Sequence, residues 1–385
     1  MPRQAQLARL HDPITKEQLD QGLVLHFPAG RSVTGEDLVE LHLHGGRAVV
    51  GGVMTALGKV AGLRLAEPGE FTRRSFENGR IDLAQAEGLA DLLAAETEAQ
   101  RRAALSVAEG GVSRAVDQIR TRLLDLSARV EAMIDHADEG DVSGDLSWQD
   151  DATALAETIQ THLSAPSSER LRHGVRTVIA GPPNAGKSSL FNAIVGREAA
   201  LVSAEAGTTR DVIEAPLNIR GIPFLLMDTA GLREATGVEA QGIGRARLLL
   251  QSSDIVIWLG DHGDRPDHPS VVSVTSKSDL IQGQCPEGEL LVSATTGAGL
   301  NSLSRELVAR ANTLLPREDQ LSLSLSQQSA LEGAHADLVD AVQCRDILVR
   351  AELLRLARAA LDRITGRAGV EDMLDALFGR FCIGK

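Results

Sequence analysis

The stretch G-P-P-N-A-G-K-S-S at residues 181–189 decides how the middle of the chain folds. It follows an apolar run at residues 175–180 and precedes the helical apolar spacing of Leu190, Phe191 and Ile194. A strand that runs through a glycine-rich turn into a helix points backbone N–H groups and the positive end of the helix dipole at one place. The pattern G-x-x-x-x-G-K-S therefore predicts a phosphate-binding turn between a strand and a helix.

The side chains of this turn have distinct predicted roles. Lys187 is expected to reach the β- and γ-phosphates of a nucleotide, and the Ser188 hydroxyl is expected to ligate Mg²⁺. Asn184 offers an oxygen that can help hold a monovalent cation beside the same phosphates, which supplies positive charge without an arginine. The predicted nucleotide contacts in the turn are Asn184, Ala185, Gly186, Lys187, Ser188 and Ser189.

Two downstream segments have the composition of nucleotide-sensing loops. G-T-T-R-D at residues 207–211 precedes a strand pattern and offers the Thr209 hydroxyl to Mg²⁺ and a backbone N–H to the γ-phosphate. The apolar run at residues 224–227 then leads into D-T-A-G at residues 228–231. There Asp228 is placed for the second shell of the metal, and Gly231 can turn its N–H to the γ-phosphate.

Two further segments indicate which base is bound. After strand patterns at residues 255–259 and 271–274, S-K-S-D at residues 276–279 provides an aspartate for the N1–H and 2-amino group of guanine, which adenine lacks. L-L-V-S-A-T at residues 290–295 resembles the loop that meets the guanine oxygen. The order of all these segments predicts a GTP-binding domain, with further contacts from Asp228, Thr229, Ala230, Gly231, Ser276, Lys277, Asp279, Ser293 and Ala294.

Two positions depart from the usual GTPase pattern. Ser276 stands where asparagine is usual, and that asparagine mostly braces the loop against the phosphate turn, so we expect looser guanine binding without a change of base. Leu232 stands where many GTPases carry the glutamine that orients the attacking water. Either hydrolysis is very slow or another residue orients the water. Glu239 is our candidate, and the alternative is that it is an ordinary solvated loop charge.

Several motifs along the chain resemble those of the MnmE (TrmE) family of tRNA modification GTPases. The motifs are P-N-A-G-K-S-S, G-T-T-R-D and D-T-A-G-L-R-E in the middle, T-G-E-D-L-V-E, H-G-G, E-P-G-E-F-T and D-L-A-Q-A-E near the N-terminus, and F-C-I-G-K at residues 381–385. The resemblance covers nearly the whole chain. Related ribosome-assembly GTPases share the phosphate turn and T-T-R-D but lack the N-terminal region and the C-I-G-K end.

The resemblance implies an architecture of class α/β and α. An N-terminal α/β domain (1–78) precedes a helical bundle domain in two parts (79–172 and 316–385), into which a Ras-like doubly wound GTPase domain (174–315) is inserted. The apolar spacing agrees, with strand patterns at 21–27 and 38–44, a helix at 48–57, and a bundle seam at Val112, Val116, Ile119, Leu123, Leu126, Val130 and Met133. A second helical spacing follows Pro316 at Leu331, Leu338, Val342, Val349, Leu353 and Leu356.

The resemblance also implies a folate site and a cation site. A 5-formyl- or 5,10-methylene-tetrahydrofolate is expected to face Glu40 and Arg80, with Lys385 contacting it and Cys382 near the chemistry as nucleophile, as acid or merely by position. Family members begin with a further segment that includes a first strand and an arginine that touches folate. Either the start of this chain is assigned too late or the domain is truncated, and in the second case folate binding and dimerisation would both be affected. K⁺ is expected between facing G domains, held by Asn184, Ser203, Glu205 and Thr208 in a loop whose nucleotide contacts are Ser203, Ala204, Glu205, Ala206, Gly207, Thr208 and Thr209.

Composition limits the possible partners and compartments. The 385 residues carry a net charge of −14, which argues against nonspecific coating of nucleic acid, so tRNA is expected to be met through local arginines or a partner. The three cysteines are far apart, which argues against a disulfide framework or a zinc site. His42 and His44 share a strand face, where a polar surface is the alternative to a metal site. The chain has neither a signal peptide nor an apolar run of membrane-spanning length, so a cytoplasmic location without membrane contact is expected.

Two functional hypotheses follow. In the first, which the resemblance implies, a K⁺-dependent GTPase acts as a homodimer, and as a heterotetramer with the FAD-containing partner MnmG (GidA). It controls modification of C5 of the wobble uridine of tRNA to an aminomethyl or carboxymethylaminomethyl group. In the second, the chain is a GTPase switch in ribosome or tRNA maturation without covalent RNA chemistry.

Overall fold

The computed structural model describes residues 4–135, 146–198, 213–228, 248–280 and 288–368, together with residues 374, 377–379 and 381. The chain divides into two units, Met1–Ala90 with Thr365–Lys385, and Asp91–Ile364. The helices are α1 (Arg47–Leu57), α2 (Glu70–Glu77), α3 (Leu83–Ala94), α4 (Glu98–Ala108), α5 (Gly111–Asp135), α6 (Leu146–Leu163), α7 (Glu169–His173), α8 (Lys187–Glu198), α9 (Leu300–Leu314), α10 (Leu325–Gln343) and α11 (Ile347–Ile364). The strands are β1 (Gln6–His11), β2 (Gln18–Phe27), β3 (Leu38–His42), β4 (Val175–Ala180), β5 (Ile213–Ile219), β6 (Ile222–Asp228), β7 (Ile255–Trp258), β8 (Val271–Thr275) and β9 (Leu290–Leu291).

The first unit is built on an antiparallel sheet in the order β1–β2–β3. The predicted strands and the predicted helix at 48–57 are confirmed as β2, β3 and α1, but β3 ends at His42. His44 lies beyond the strand, so the predicted strand face shared by His42 and His44 is wrong. β1 was not predicted, because its alternation leaves both faces at least partly exposed, and Leu7 is 67% exposed. Such a strand has little apolar contrast for a sequence pattern to detect.

Residues from both ends of the chain share a core in this unit. Phe378 and Phe381 are buried with Leu83 of α3, and the rings of Phe76 and Phe378 lie 6.4 Å apart. Gly69 has a φ of +71°, and a Cβ there would overlap the backbone of Phe378. Only glycine therefore permits this close approach between the E-P-G-E-F-T motif and the C-terminal segment.

Four charged side chains of the first unit form a connected cluster. Glu70 accepts hydrogen bonds from both terminal nitrogens of Arg64, at 2.8 and 2.9 Å, and from Arg74 at 2.8 Å. Arg74 also donates to Glu36 at 2.8 Å. The hydrogen bonds from Arg64, from the Glu67 backbone N–H and from Arg74 lower the pKa of Glu70 from its usual 4.5 to about 2. The cluster thus joins the T-G-E-D and E-P-G-E motifs.

This cluster predicts a dependence of stability on pH. A carboxyl whose pKa is lowered by folding contributes stability above its unfolded-state pKa, and the contribution is lost as the pH falls through the folded-state pKa. For Glu70 that window lies between 4.5 and about 2. A Glu70→Gln variant should have a lower urea midpoint than the parent at about pH 6, and the gap should narrow as the pH falls through the window.

The matched control is Glu77→Gln, which removes one negative charge from the same helix, where Glu77 forms an exposed ion pair with Arg73. Exposed pairs contribute little, so its midpoint should stay close to that of the parent. A gap between parent and Glu70→Gln that is constant with pH would contradict the assignment of the stabilisation to the Glu70 carboxylate.

The second unit begins with a helical bundle. The predicted α5 seam is confirmed over most of its length, since Val112, Val116, Ile119, Leu123, Leu126 and Val130 are buried, while Met133 at its end is half-buried. α5 packs on α6 and α11, and α10 packs on the same two helices, so helices from before and after the GTPase segment form one bundle. Trp148 ties them together, because its indole N–H donates to Leu126 O at 3.0 Å and Arg350 lies over its ring.

The predicted seam beyond Gln343 is wrong in part. Val349 is 49% exposed and Leu356 is 40% exposed, whereas Leu354 and Leu361 are fully buried. The chain leaves the helix at Cys344, whose backbone is extended, and α11 begins anew at Ile347. A single spacing counted through that break therefore gives the wrong face for α11.

The inserted GTPase segment forms a six-stranded sheet in the order β5–β6–β4–β7–β8–β9. Only β5 is antiparallel to its neighbour, and the other pairs are parallel. β4, β6 and β7 are almost continuously buried, as expected for strands with helices on both faces. The predicted fold class, α/β and α with a doubly wound domain inserted in a helical one, is thus confirmed. Within the described ranges, every helix is too short or too polar to cross a membrane.

Candidate functional site

The phosphate turn lies between the end of β4 at Ala180 and the start of α8 at Lys187. Gly181 touches the neighbouring strand end so closely that a Cβ would overlap the Leu259 carbonyl oxygen. Asn184 and Gly186 have φ angles of +62° and +92°. These left-handed residues fold the turn tightly over the N-terminus of α8, where the backbone N–H groups are available to an anion.

Lys187 sits within this turn. The residue is 8% exposed, and its Nζ donates to Pro182 O at 2.8 Å and to Gly181 O at 3.1 Å. The ammonium is therefore held at the turn by the carbonyls of the same loop. Ser188 is the next residue of α8 and is exposed.

Asp228 ends β6 next to the phosphate turn. It is 1% exposed and lies opposite Ile179 of β4 in the parallel register, so its carboxylate is at the carboxyl edge where the turn begins. Open α/β sheets bind their ligands at this edge. Carboxylate and hydroxyl oxygens, such as those of Asp228 and Ser188, are the donor type that Mg²⁺ prefers.

The loop after β8 is bonded directly to the phosphate turn. Ser276 Oγ donates to Ala185 O at 2.6 Å, and Lys277 Nζ donates to Asn184 O at 3.0 Å. Lys277 has a φ of +57°, which turns this loop towards the turn. Ser276 thus makes the bracing contact that is expected of asparagine at this position. The looser guanine binding that we expect from serine in place of asparagine stays a prediction.

The two residues predicted to read guanine, Asp279 and Ser293, are bonded to each other. Ser293, which is fully buried, donates from Oγ to Asp279 Oδ1 at 2.6 Å and accepts from the Thr296 N–H at 3.1 Å. Asp279 Oδ2 has no partner among the residues that the structure describes, so it remains available to a ligand. Ala294 follows Ser293 and is half-buried. Both predicted base-reading segments therefore meet beside the phosphate turn.

Other predicted site residues lie outside the described residues. They are Glu239 and Cys382, the loop residues Ser203, Ala204, Glu205, Ala206, Gly207, Thr208 and Thr209, the segment Thr229, Ala230 and Gly231, and Lys385.

Two of the folate candidates, Glu40 and Arg80, are exposed. Glu40 on β3 lies 3.4 Å from His42 Nε2, measured to Oε2. The methylenes of Arg80 pack near Gly35. His44 Nδ1 lies 2.8 Å from Asp20 Oδ1, so each histidine of the pair has its own carboxylate. Across the described ranges, no cluster of three or more His, Cys, Asp or Glu has the arrangement of a metal site.

Sequence reasoning missed one residue that holds the guanine-reading loop in place. Gly299 has a φ of +77°, and a Cβ there would overlap the Leu291 carbonyl oxygen and lie 3.1 Å from Val292 Cα. It is also the N-terminal cap of α9. A glycine directly before a helical pattern was the available signal.

Together, the sheet order, the phosphate turn and the base-reading pair define a P-loop protein of the GTPase class whose G domain is inserted in a helical bundle. A family profile described as "MnmE helical domain" matches residues 83–382, and one described as "GTP-binding protein TrmE N-terminus" matches residues 1–80. The chain belongs to the MnmE family of tRNA modification GTPases.

Individual proteins named as members of this family are similar to the chain over its full length. The chain is 53% identical to "tRNA modification GTPase MnmE" of Rhizorhabdus wittichii, covering 100% of this chain and 87% of that protein. It is 51% identical to the proteins of the same name from Erythrobacter litoralis and Sphingopyxis alaskensis, again over 100% of this chain and over 91% and 95% of theirs.

Proposed function

We propose that this chain hydrolyses GTP to drive modification of C5 of the wobble uridine in tRNA, together with the FAD-containing partner MnmG, in the cytoplasm. The product is an aminomethyl or carboxymethylaminomethyl group. The observation that carries the proposal is the bonded assembly of phosphate turn and guanine-reading loops through Ser276 and Ser293, in a chain of this family. The active species is a homodimer that joins MnmG in a heterotetramer.

In this proposal, Lys187 stabilises charge on the β- and γ-phosphates, and Asp279 selects guanine. Ser188 and Thr209 ligate Mg²⁺, with Asp228 in its second shell. When bound, the metal neutralises charge that develops on the phosphates. The donor types present at the edge of the sheet, a hydroxyl and a buried carboxylate, fit that role.

Asn184 helps to hold K⁺, together with Ser203, Glu205 and Thr208. We expect replacement of K⁺ by Na⁺ to slow GTP hydrolysis by the parent far more than hydrolysis by Asn184→Gly. Glycine is the appropriate replacement because Asn184 has a φ of +62°, which alanine tolerates poorly. The measurement is steady-state hydrolysis at several protein concentrations. Equal sensitivity of the two proteins to the cation would remove Asn184 from the cation site.

Glu239 orients the attacking water in place of the usual glutamine. A Glu239→Ala variant should lose about 10²–10⁴-fold in kcat, since that is the typical contribution of a positioned acid or base group. GTP affinity should stay near that of the parent because the phosphate and base contacts are untouched. Single-turnover hydrolysis and a binding titration separate the two quantities. Unchanged turnover would show that Glu239 is an ordinary loop charge.

The one-carbon unit of the reaction comes from a 5-formyl- or 5,10-methylene-tetrahydrofolate on the first unit. The exposed carboxylate of Glu40 and the cations of Arg80 and Lys385 match the N–H groups of a pterin and the carboxylates of its glutamate tail. Phe378 and Phe381 are buried in the core of the first unit. Their burial supports the proposal that the C-terminal tail, with Cys382, belongs to the folate site of that unit. The redox chemistry is supplied by the flavin of the partner.

A further inference from the structure

The unit Asp91–Ile364 contains a cleft whose lining includes none of the residues assigned to the nucleotide. It forms where the turn between β5 and β6 meets α4 and the C-terminal end of α9, and its volume is about 620 Å³. This is in the size range of small-molecule sites, about 300–1,000 Å³. Part of its wall is apolar, from Ala99, Ala103, Ile222, Val308 and Leu315.

The walls of the cleft are fixed to each other by backbone hydrogen bonds. The Ala99 N–H at the start of α4 donates to Gly221 O at 3.0 Å, so the β5–β6 turn caps this helix. The Gly221 N–H in turn donates to Asn218 Oδ1 at 2.8 Å. Thr97 and Gln100 complete the helix end with a capping box. The α4 wall and the β5–β6 turn wall are therefore held together at this point.

Arg220, which lines the cleft, occupies an unfavourable backbone position. It forms the two-residue turn between β5 and β6 with Gly221, and the two φ angles are +53° and +87°. Turns of this kind favour asparagine, aspartate or glycine, because positive φ strains other residues. Strained residues that persist in a fold often have a functional reason. The side chain of Arg220 supplies that reason if it acts in the cleft.

Among the described residues, two guanidinium groups that line the cleft have no carboxylate partner. Glu98 is held by Arg101 through two hydrogen bonds of 2.9 and 2.8 Å, and Arg102 pairs with Glu318 at 2.9 Å. In the described part of the chain, the side chains of Arg220 and Arg317 have no ion pair or hydrogen bond. These two lining arginines are therefore free to bind an anion in a chain whose net charge is −14. Guanidinium groups match the geometry of phosphate oxygens.

We propose that this cleft binds a small organic phosphate, with the phosphate group on Arg220 and Arg317 and the apolar body against the wall around Ala99 and Ile222. The site is separate from the nucleotide site and does not depend on the proposed role in tRNA modification. Because its walls come from the β5–β6 turn of the G domain and from α4, which packs on α5 of the bundle, its occupant contacts both parts of the unit.

The test uses the full chain with Mg²⁺ and saturating GDP, so that the nucleotide site is occupied. The probe is 1-naphthyl phosphate, which has an apolar body and one phosphate, and 1-naphthol is the control without the phosphate. Calorimetric titration should show saturable binding of 1-naphthyl phosphate and no saturable binding of 1-naphthol. Arg220→Gln and Arg317→Gln should each weaken it at least about tenfold, the effect of losing one charge-assisted contact. Arg305→Gln, at an arginine of α9 outside the cleft, should not.

A further variant separates loss of the site from loss of the fold. Arg220→Asn places a favoured residue in the turn, so it should melt about 2 °C higher than the parent while binding the probe at least tenfold more weakly. No saturable binding up to about 1 mM, or equal affinity in parent and both glutamine variants, would overturn the proposal. If these variants lose affinity for tRNA while the probe does not bind, the two arginines contact RNA phosphates and the small-ligand proposal is wrong.

Discussion

A Lys187→Ala variant will hydrolyse GTP about 10²–10³-fold more slowly than the parent at saturating nucleotide. The magnitude is that of removing one preorganised electrostatic group from a phosphate or oxyanion site. Nζ of Lys187 is held by Gly181 O and Pro182 O, so the parent has the charge in place before nucleotide arrives. Steady-state release of phosphate measures the loss.

Thermal unfolding shows whether the fold survives this substitution. Gly181 and Pro182 are at least partly exposed, so water can replace the lost ammonium at their carbonyls, and the melting temperature should change little. Arg197→Ala is the matched control, because it removes a cation from the far end of the same helix. Its turnover should equal that of the parent. Turnover by Lys187→Ala within about fivefold of the parent would contradict the assignment of Lys187 to the phosphates.

The second large effect is expected at Gly299. A Gly299→Ala variant should lose about 3–4 kcal/mol of unfolding free energy, because its Cβ overlaps the backbone of β9 in addition to the cost of a positive φ. The displaced strand leads into Ser293, so guanine nucleotide affinity should fall as well. Urea unfolding followed by circular dichroism and a nucleotide titration measure the two losses.

Gly297→Ala is a close control for this prediction. Gly297 has a φ of +76°, nearly the same as Gly299, but a Cβ there meets no atom within 4 Å. Gly297→Ala should therefore lose only the unfolding free energy that a positive φ costs alanine, about 1 kcal/mol. Equal losses in the two variants would show that contact with β9 does not matter and that backbone conformation alone requires glycine at position 299.

The parts of this protein that could be predicted from sequence are those in which local chemistry dictates geometry. The phosphate turn requires glycine at positions 181 and 186, and the seam of α5 repeats without a break over the helix. Both are local patterns. The seam beyond Gln343 was partly misplaced because the break before Ile347 resets the helical phase, and a period counted across it gives no sign of the change.

The contacts that assemble the site join distant segments, and no local pattern contains them. The sequence correctly marked Ser276 as unusual. That its hydroxyl reaches Ala185 O depends on how closely two strand ends approach in the sheet. The same holds for Glu70, whose motif is visible in the sequence but whose partners Arg64 and Arg74 are set by the folding of that region.

The most direct test of the central claim is nucleoside mass spectrometry of tRNA after incubation with this chain and MnmG. The reaction contains GTP, Mg²⁺, K⁺, a methylene-tetrahydrofolate and an ammonium or glycine donor, and Lys187→Ala serves as the inactive control. We expect aminomethyl- or carboxymethylaminomethyl-uridine at the wobble position with the parent chain, and none with Lys187→Ala. Rapid GTP hydrolysis by the parent with unmodified tRNA would contradict the account and indicate a GTPase switch without covalent RNA chemistry.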